Sequence, residues 1–122
     1  MSPLIAIDGP AGSGKSTVAR LTAEQLGLGR LDTGAMYRAV TLLVLRAGVD
    51  LADAWAAGEI ARAMRLETGE RVLLDGEDVT EAIRSEEVDR SVSAVAAHPE
   101  VRSELVARQR LWASEHGGGV VE

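Results

Sequence analysis

The feature that most constrains this sequence is a glycine-rich stretch near its start, residues 9–16, which fits G-x-x-x-x-G-K-[ST] at every fixed position. Glycines let the backbone curl so that successive N–H groups point inward and hold phosphate oxygens. An apolar run at 4–7 predicts a buried parallel strand before this loop, and residues 16–26 predict a helix after it. The helix adds its positive N-terminal end. The combination predicts a nucleoside triphosphate site formed by Gly9, Pro10, Ala11, Gly12, Ser13, Gly14, Lys15 and Ser16.

Two side chains of this loop carry the chemistry of phosphate binding. Lys15 can reach the β- and γ-phosphates as a mobile positive charge, and the Ser16 hydroxyl is suited to coordinate Mg²⁺. The strand before the loop and the helix after it favour this interpretation over a chance lysine in a glycine-rich turn. The motif leaves open which molecule receives the phosphoryl group.

Composition limits the classes of protein to which the chain can belong. Its 122 residues make one domain at most, or a piece of one, and 46% hydrophobic with 26% charged residues is typical of a globular protein. The net charge of -6 argues against broad nucleic-acid binding, although a local basic pocket is still possible. No apolar run approaches the ~20 residues that span a bilayer. With no signal-like start and no cysteine, a cytoplasmic protein without membrane association is expected.

The pattern along the chain predicts an α/β fold with an inserted antiparallel patch. Helices are predicted from Gly34 to Ala47, closed by Gly48, and more weakly around residues 53–64. In "MRLETGERVLLDGEDV", residues 64–79, two apolar-alternating runs flank "ETGE", and "DGED" is a further turn. A further helix is predicted over "SEEVDRSVSAVAA", residues 85–97, with Ser85 as its N-cap and acidic residues in its first turn. Pro99 opens the last predicted helix, which runs from about Glu100 to Glu115. With two Trp, one Tyr and no Phe, the core is expected to be aliphatic.

The last residues, "GGGVVE", predict a loop that leads into another buried strand. A parallel sheet needs several covered strands, and the sequence shows only two good candidates besides the antiparallel patch. We therefore expect the chain to stop before its sheet is complete. An exposed sheet edge would then be a route to association.

The stretch "DTGAMYR", residues 32–38, follows the first predicted helix, where a small kinase would hold its acceptor. Asp32 and Thr33 suit a helix N-cap, and that structural role alone would explain them. Arg38 lies early in an otherwise apolar helix, where a cation opposes the helix dipole. An arginine at this position is more plausible if an anion lies nearby. A guanidinium binds phosphate through paired hydrogen bonds. From the residues alone, acceptor binding and a solvated helix face are about equally favoured.

Four stretches together resemble the bacterial cytidylate (CMP/dCMP) kinases, in order and in spacing: "IDGPAGSGKST", "LDTGAMYR", "LLDGEDVTEAIRSEEV" and "VSAVAAHPEVRSELVARQR". The resemblance covers essentially the whole chain. It implies a P-loop NTPase fold of the nucleoside monophosphate kinase type, a parallel sheet with helices on both faces and a small inserted nucleotide-binding subdomain. It also implies the first part of the core at 1–58, the inserted subdomain at 59–99 and a return to the core at 100–122. The remaining core strands and the lid would lie outside this chain.

The resemblance also implies roles for individual residues. The loop from Gly9 to Thr17 would bind ATP. Lys15 and Arg38 would be catalytic residues, and Ser16 would coordinate the metal ion. The acceptor CMP would be bound by Thr33, Gly34, Tyr37, Arg38, Ser93 and Arg102. Arg38 would bind its phosphate, and Ser93 and Arg102 would bind its cytosine base. Cytosine offers O2 and N3 as acceptors, which suit hydroxyl and guanidinium donors. Alternatively, Ser93 is only a small residue on a packed helix face, and Arg102 only a solvated charge.

The expected function is ATP- and Mg²⁺-dependent phosphorylation of CMP or dCMP to the diphosphate, by a family that is usually monomeric. In the family a Gly-Arg-Asp motif and lid arginines follow the strand near Glu122, so we expect this chain alone to be weakly active or inactive. Two alternatives remain at this stage. One is a small P-loop kinase with another acceptor, such as shikimate, and the other is a nucleotide-binding fragment without catalysis.

Overall fold

The structure is a computed structural model that describes the backbone of residues 4–6, 30–116 and 119–121 and the side chains of 31–115. The predicted phosphate loop at 9–17 and the helix predicted at 16–26 lie outside the described residues. Two compact units make up the chain: residues 1–33 with 108–122 form one, and residues 34–107 form the other.

Six strands and four α-helices occur within the described residues. In chain order the elements are β1 (Leu4–Ala6), β2 (Arg30–Leu31), α1 (Thr33–Arg46), α2 (Ala54–Ala63), β3 (Leu66–Glu67), β4 (Leu73–Leu74), β5 (Glu77–Asp78), a short 3₁₀ helix (Ala82–Arg84), α3 (Glu86–Ala96), α4 (Pro99–His116) and β6 (Gly119–Val121). None of these helices combines the length and the apolar character that crossing a membrane requires.

The first unit contains a three-stranded sheet in which β6 lies between β1 and β2. β6 runs parallel to both neighbours, with Val120 opposite Ile5 and Val121 opposite Leu31. The strand predicted at the start of the chain and the strand predicted at its end are therefore adjacent in the sheet. Leu31 is buried, as expected for a strand of an internal parallel sheet.

Helix α1 begins one residue before the predicted start and ends at Arg46. The Val49 N–H donates to the Val44 carbonyl and the Gly48 N–H to the Leu45 carbonyl, which is the Schellman pattern of a helix C-terminus. Gly48 has φ +68°, a left-handed conformation that glycine adopts without steric cost. Ala47, predicted to be helical, lies in the terminating turn and is exposed.

The N-termini of α2 and α3 are each capped by a side chain whose oxygen accepts a hydrogen bond from an otherwise unpaired backbone N–H. The Asp53 carboxylate accepts from the Ala56 N–H at 3.0 Å. The Ser85 hydroxyl accepts from the Val88 N–H at 3.3 Å, so the predicted cap at Ser85 is confirmed.

The antiparallel patch predicted at 64–79 is a meander in which β4 pairs with β3 on one side and with β5 on the other. The turn predicted at "DGED" is made by Asp75 and Gly76 alone, with φ 50° and 84°, and the last two letters form β5. Positive φ at both central residues is typical of the two-residue turn that suits the twist of a hairpin. Arg46 at the end of α1 joins its two terminal nitrogens to the Glu77 carboxylate at 3.0 Å each, and this contact lowers the pKa of Glu77.

The interior of the unit formed by residues 34–107 is aliphatic, as the scarcity of aromatic residues predicts. One buried polar side chain, Thr41, donates its hydroxyl hydrogen to the Tyr37 carbonyl at 2.8 Å and so keeps a partner. Besides Thr41, the fully buried residues of this unit are Ala39, Val40, Val44, Ala57, Ala61, Val79, Val88, Val95, Val101 and Leu105.

Candidate functional site

Arg38, in the second turn of α1, contacts two other elements of its unit. Its Nη1 donates to the Ile83 carbonyl at 3.0 Å, at the 3₁₀ helix, and to the Asp89 carboxylate, on α3. The Arg38 side chain is 29% exposed and that of Asp89 is 51% exposed. The anion that an arginine so early in a helix needs is thus supplied by α3.

The groups that meet Arg38 are held in place by the core. Ile83 is buried, and the Ser85 cap fixes the start of α3 directly after the 3₁₀ helix. Val88, the neighbour of Asp89, is fully buried and holds the first turn of α3 against the interior. Arg38 therefore binds to a carbonyl and a carboxylate whose positions are set by packed residues.

The Tyr37 hydroxyl lies within electrostatic range of the positive charge of Arg102. Burial raises the pKa of the Tyr37 hydroxyl above its ordinary value of 10.0, and the positive charge of Arg102 opposes that rise. Arg102 is an exposed residue in the first turn of α4, next to the fully buried Val101. The half-buried Tyr37 on α1 is thus within electrostatic range of the cation on α4.

Ser93 is exposed on α3, one turn after Asp89. Residues four apart lie on the same side of a helix, so Ser93 shares the side of α3 on which Asp89 meets Arg38. Gly34 is partly buried and lies one turn before Arg38 on α1, and Thr33 is the first residue of that helix.

His98 fixes the turn before α4. Its Nε2 lies 2.7 Å from the Leu51 carbonyl, which joins the connection between α3 and α4 to the turn that precedes α2. Because α4 begins at the next residue, Pro99, this contact helps to set the start of the helix that carries Arg102.

Among the six predicted acceptor-site residues, the structure brings Tyr37, Arg38 and Arg102 into contact or electrostatic range of other elements. Ser93 lies on the α3 side that Arg38 reaches, while its side chain makes no hydrogen bond within the described part of the chain. The predicted loop residues, with Lys15 and Ser16, lie outside the described residues. Within residues 31–115 no group of three or more His, Asp or Glu side chains is arranged to hold a metal ion.

Sequence reasoning missed Asp89 as a partner of Arg38. It counted this residue only among the acidic residues at the start of α3, where a carboxylate favours the helix dipole. The usable signal is its spacing of four from Ser93, which places both residues on one side of the helix. The partner itself is 51 residues away in the chain, so only the tertiary structure reveals it.

Comparison with known proteins gives one family. The model of the cytidylate kinase family matches residues 5–122. The chain is 57% identical over 125 residues to the cytidylate kinase of Pelotomaculum thermopropionicum and 55% identical over 120 residues to that of Mycobacterium leprae. It is also 54% identical over 126 residues to the bifunctional pantoate ligase/cytidylate kinase of Parasynechococcus marenigrum.

Each of these alignments covers 98% of this chain. It covers 54% of each of the two cytidylate kinases and 25% of the bifunctional protein. The chain therefore spans about half the length of the cytidylate kinases that it matches.

Proposed function

Because the chain belongs to the cytidylate kinase family, we propose that the whole protein transfers the γ-phosphoryl group of ATP to CMP or dCMP. An oxygen of the acceptor phosphate forms a bond to the γ-phosphorus, the bond to the β-γ bridging oxygen breaks, and ADP leaves. The products are CDP or dCDP and ADP. Location in the cytoplasm is part of the same proposal.

The fold that we propose for the whole protein is the nucleoside monophosphate kinase type of P-loop NTPase. β1, β6 and β2 would be three strands of its parallel sheet, with helices covering both faces. The inserted nucleotide-binding subdomain would occupy 59–99, between core segments at 1–58 and 100–122. Family membership supports this fold.

The observation that carries the acceptor assignment is the contact of Arg38 on α1 with Asp89 on α3. In the same unit, Tyr37 lies within electrostatic range of Arg102 on α4. In the proposal Arg38 binds the acceptor phosphate, and Ser93 and Arg102 donate to O2 and N3 of cytosine. Thr33, Gly34 and Tyr37 complete the walls of the acceptor site.

Most of the catalysis would come from alignment of the substrates and from neutralisation of phosphate charge. Phosphoryl transfer needs the attacking and leaving oxygens in line and the negative charge of the phosphates neutralised. Arg38 holds the acceptor phosphate so that one oxygen faces the donor. Lys15, from the phosphate loop, neutralises charge on the β- and γ-phosphates. A Mg²⁺ ion, for which Ser16 is the proposed ligand, supplies further charge neutralisation when bound.

Replacement of Arg102 tests the base assignment. In a chain extended past Glu122 from the same gene, R102M keeps the length of the side chain and removes its donors. We expect kcat/KM for CMP to fall about 10- to 100-fold, since a hydrogen bond from a charged group is lost. The KM for ATP should stay within about twofold, because Arg102 has no proposed contact with the donor.

R110M is the matched control, since Arg110 is an exposed arginine on the same helix with no proposed role. It should leave kcat/KM for CMP unchanged. Equal effects of the two substitutions, or an unchanged preference for CMP over UMP in R102M, would contradict the assignment of Arg102 to the base.

A further inference from the structure

The geometry points to Asp89 as a positioning residue for the acceptor phosphate, acting through Arg38. This inference rests on the proposed function and extends it to a residue outside the predicted site. The observation behind it is that both contacts of the Arg38 guanidinium in the structure are made by a single nitrogen.

Nη1 of Arg38 carries two hydrogens, and the Ile83 carbonyl and the Asp89 carboxylate each accept one bond from it. The opposite side of the guanidinium is formed by Nε–H and Nη2–H. Within the described residues no hydrogen bond or ion pair is made by those two nitrogens. Two parallel N–H groups on one edge match the spacing of two phosphate oxygens.

Asp89 adds orientation that the Ile83 carbonyl alone cannot give. A single acceptor leaves a guanidinium free to rotate about that contact, whereas two acceptors on one nitrogen fix the plane of the group. Asp89 is placed by the buried Val88 beside it and by the Ser85 cap at the start of α3. Arg38 is thus held with its Nε and Nη2 edge ready before a phosphate arrives, and this preparation lowers the entropic cost of binding.

Asp89 also lies on the side of α3 that carries Ser93. The ion pair therefore links the proposed phosphate ligand on α1 to the helix that carries a proposed base ligand. A substrate with both a phosphate and a cytosine should benefit from this link, whereas a nucleoside that lacks the phosphate should not.

The test compares the affinities for CMP and for cytidine, measured by calorimetry on the chain extended past Glu122. D89A should weaken the binding of CMP about two- to fivefold, the range expected for a partly exposed charged pair, and should leave the binding of cytidine unchanged. D89N keeps an acceptor oxygen for Nη1, so it should recover most of the affinity for CMP. E87A is the matched control, because Glu87 is an exposed acidic residue in the same helix turn.

The inference is overturned if D89A leaves the ratio of the affinity for CMP to the affinity for cytidine unchanged or raises it. The ratio stays unchanged if D89A weakens the binding of cytidine as much as that of CMP. R38Q, measured in parallel, separates this result from failure of the proposed function. If R38Q lowers the ratio and D89A does not, Arg38 binds the phosphate without help from Asp89. If R38Q does not lower it either, the acceptor assignment fails and the role of Asp89 fails with it. Thermal melts of all four variants check that each is folded.

Discussion

One hydroxyl, that of Thr80, closes the meander on itself. The hydroxyl oxygen accepts from the Val72 N–H at 2.9 Å, and the hydroxyl hydrogen is donated to the Asp78 carboxylate at 2.6 Å. The Thr80 N–H also donates to Asp78, at 3.0 Å. These bonds from Thr80, first from the hydroxyl and then from the backbone, lower the pKa of Asp78, with a smaller contribution from the charge of Arg71.

The T80V substitution keeps the shape of the side chain and removes its hydroxyl. The N–H of Val72, a buried residue, loses its partner, so we expect the free energy of unfolding at pH 7 to fall by about 1–3 kcal/mol. Urea denaturation of the chain measures this change. T80S keeps the hydroxyl and should lose less than half as much. Equal losses in T80V and T80S would show that the hydroxyl bonds contribute nothing.

The same variant predicts a pH dependence. Because the pKa of Asp78 is lowered in the folded chain, its stabilising effect is complete above the ordinary value of 3.8 and is lost as the pH falls through the lowered pKa. The difference in stability between the original chain and T80V should therefore narrow below about pH 3.8. Repeating the urea series at pH 3 checks this. A difference that is the same at both pH values would contradict the role of the ionised carboxylate.

The roles of single residues could be predicted from the sequence where their interactions are with near neighbours in the chain. Ser85 could be identified as a cap because a capping side chain bonds only three residues ahead. The pairing of Arg38 with Asp89 could not be predicted, since any of many exposed carboxylates satisfies a guanidinium and only the tertiary structure selects one.

At the scale of the elements, α2 and α4 approach so closely that one glycine is required between them. A Cβ added at Gly58 would lie 2.7 Å from the Glu100 Cβ, an atom too near the backbone to move aside. Gly69 offers the opposite case, because an added Cβ there has open space and its φ is not in the left-handed region.

We expect G58A to destabilise the chain by about 1 kcal/mol net. Alanine gains about 1 kcal/mol of helix propensity over glycine, while overpacking of this kind costs about 1–3 kcal/mol. G69A, the control, should be neutral or slightly stabilising. Thermal or urea unfolding measures both, and a G58A variant more stable than the original chain would show that α2 and α4 can separate at little cost.

The sequence predicted the four described α-helices to within one or two residues because caps, glycines and a proline mark their ends, but it did not predict the 3₁₀ helix. The meander was harder to predict, since strands of two residues carry almost no periodic signal. The third strand, β5, was therefore assigned to a turn. In the parallel sheet, β1 pairs with β6, which lies more than a hundred residues later in the chain. No local sequence pattern specifies such a pairing.

At the scale of the whole molecule, family membership followed from motifs whose order and spacing are more specific than any one of them. The phosphate loop alone would have left the acceptor open. The stretches around Arg38 and Arg102 identified the family, and the match over residues 5–122 confirms it. The contacts of Arg38 with Ile83 and Asp89, and the contact of His98 before the helix that carries Arg102, required the structure.

We propose that the acceptor site of the cytidylate kinases is formed in part by the described helices. The most direct test is coupled ADP release with CMP, dCMP, UMP and AMP as acceptors, with this chain beside a version extended past Glu122 from the same gene. We expect CMP and dCMP to give the highest kcat/KM in the extended chain. The shorter chain, about half the length of its relatives, should be much slower. An extended chain without preference for cytosine nucleotides would contradict the assignment of Arg38, Ser93 and Arg102.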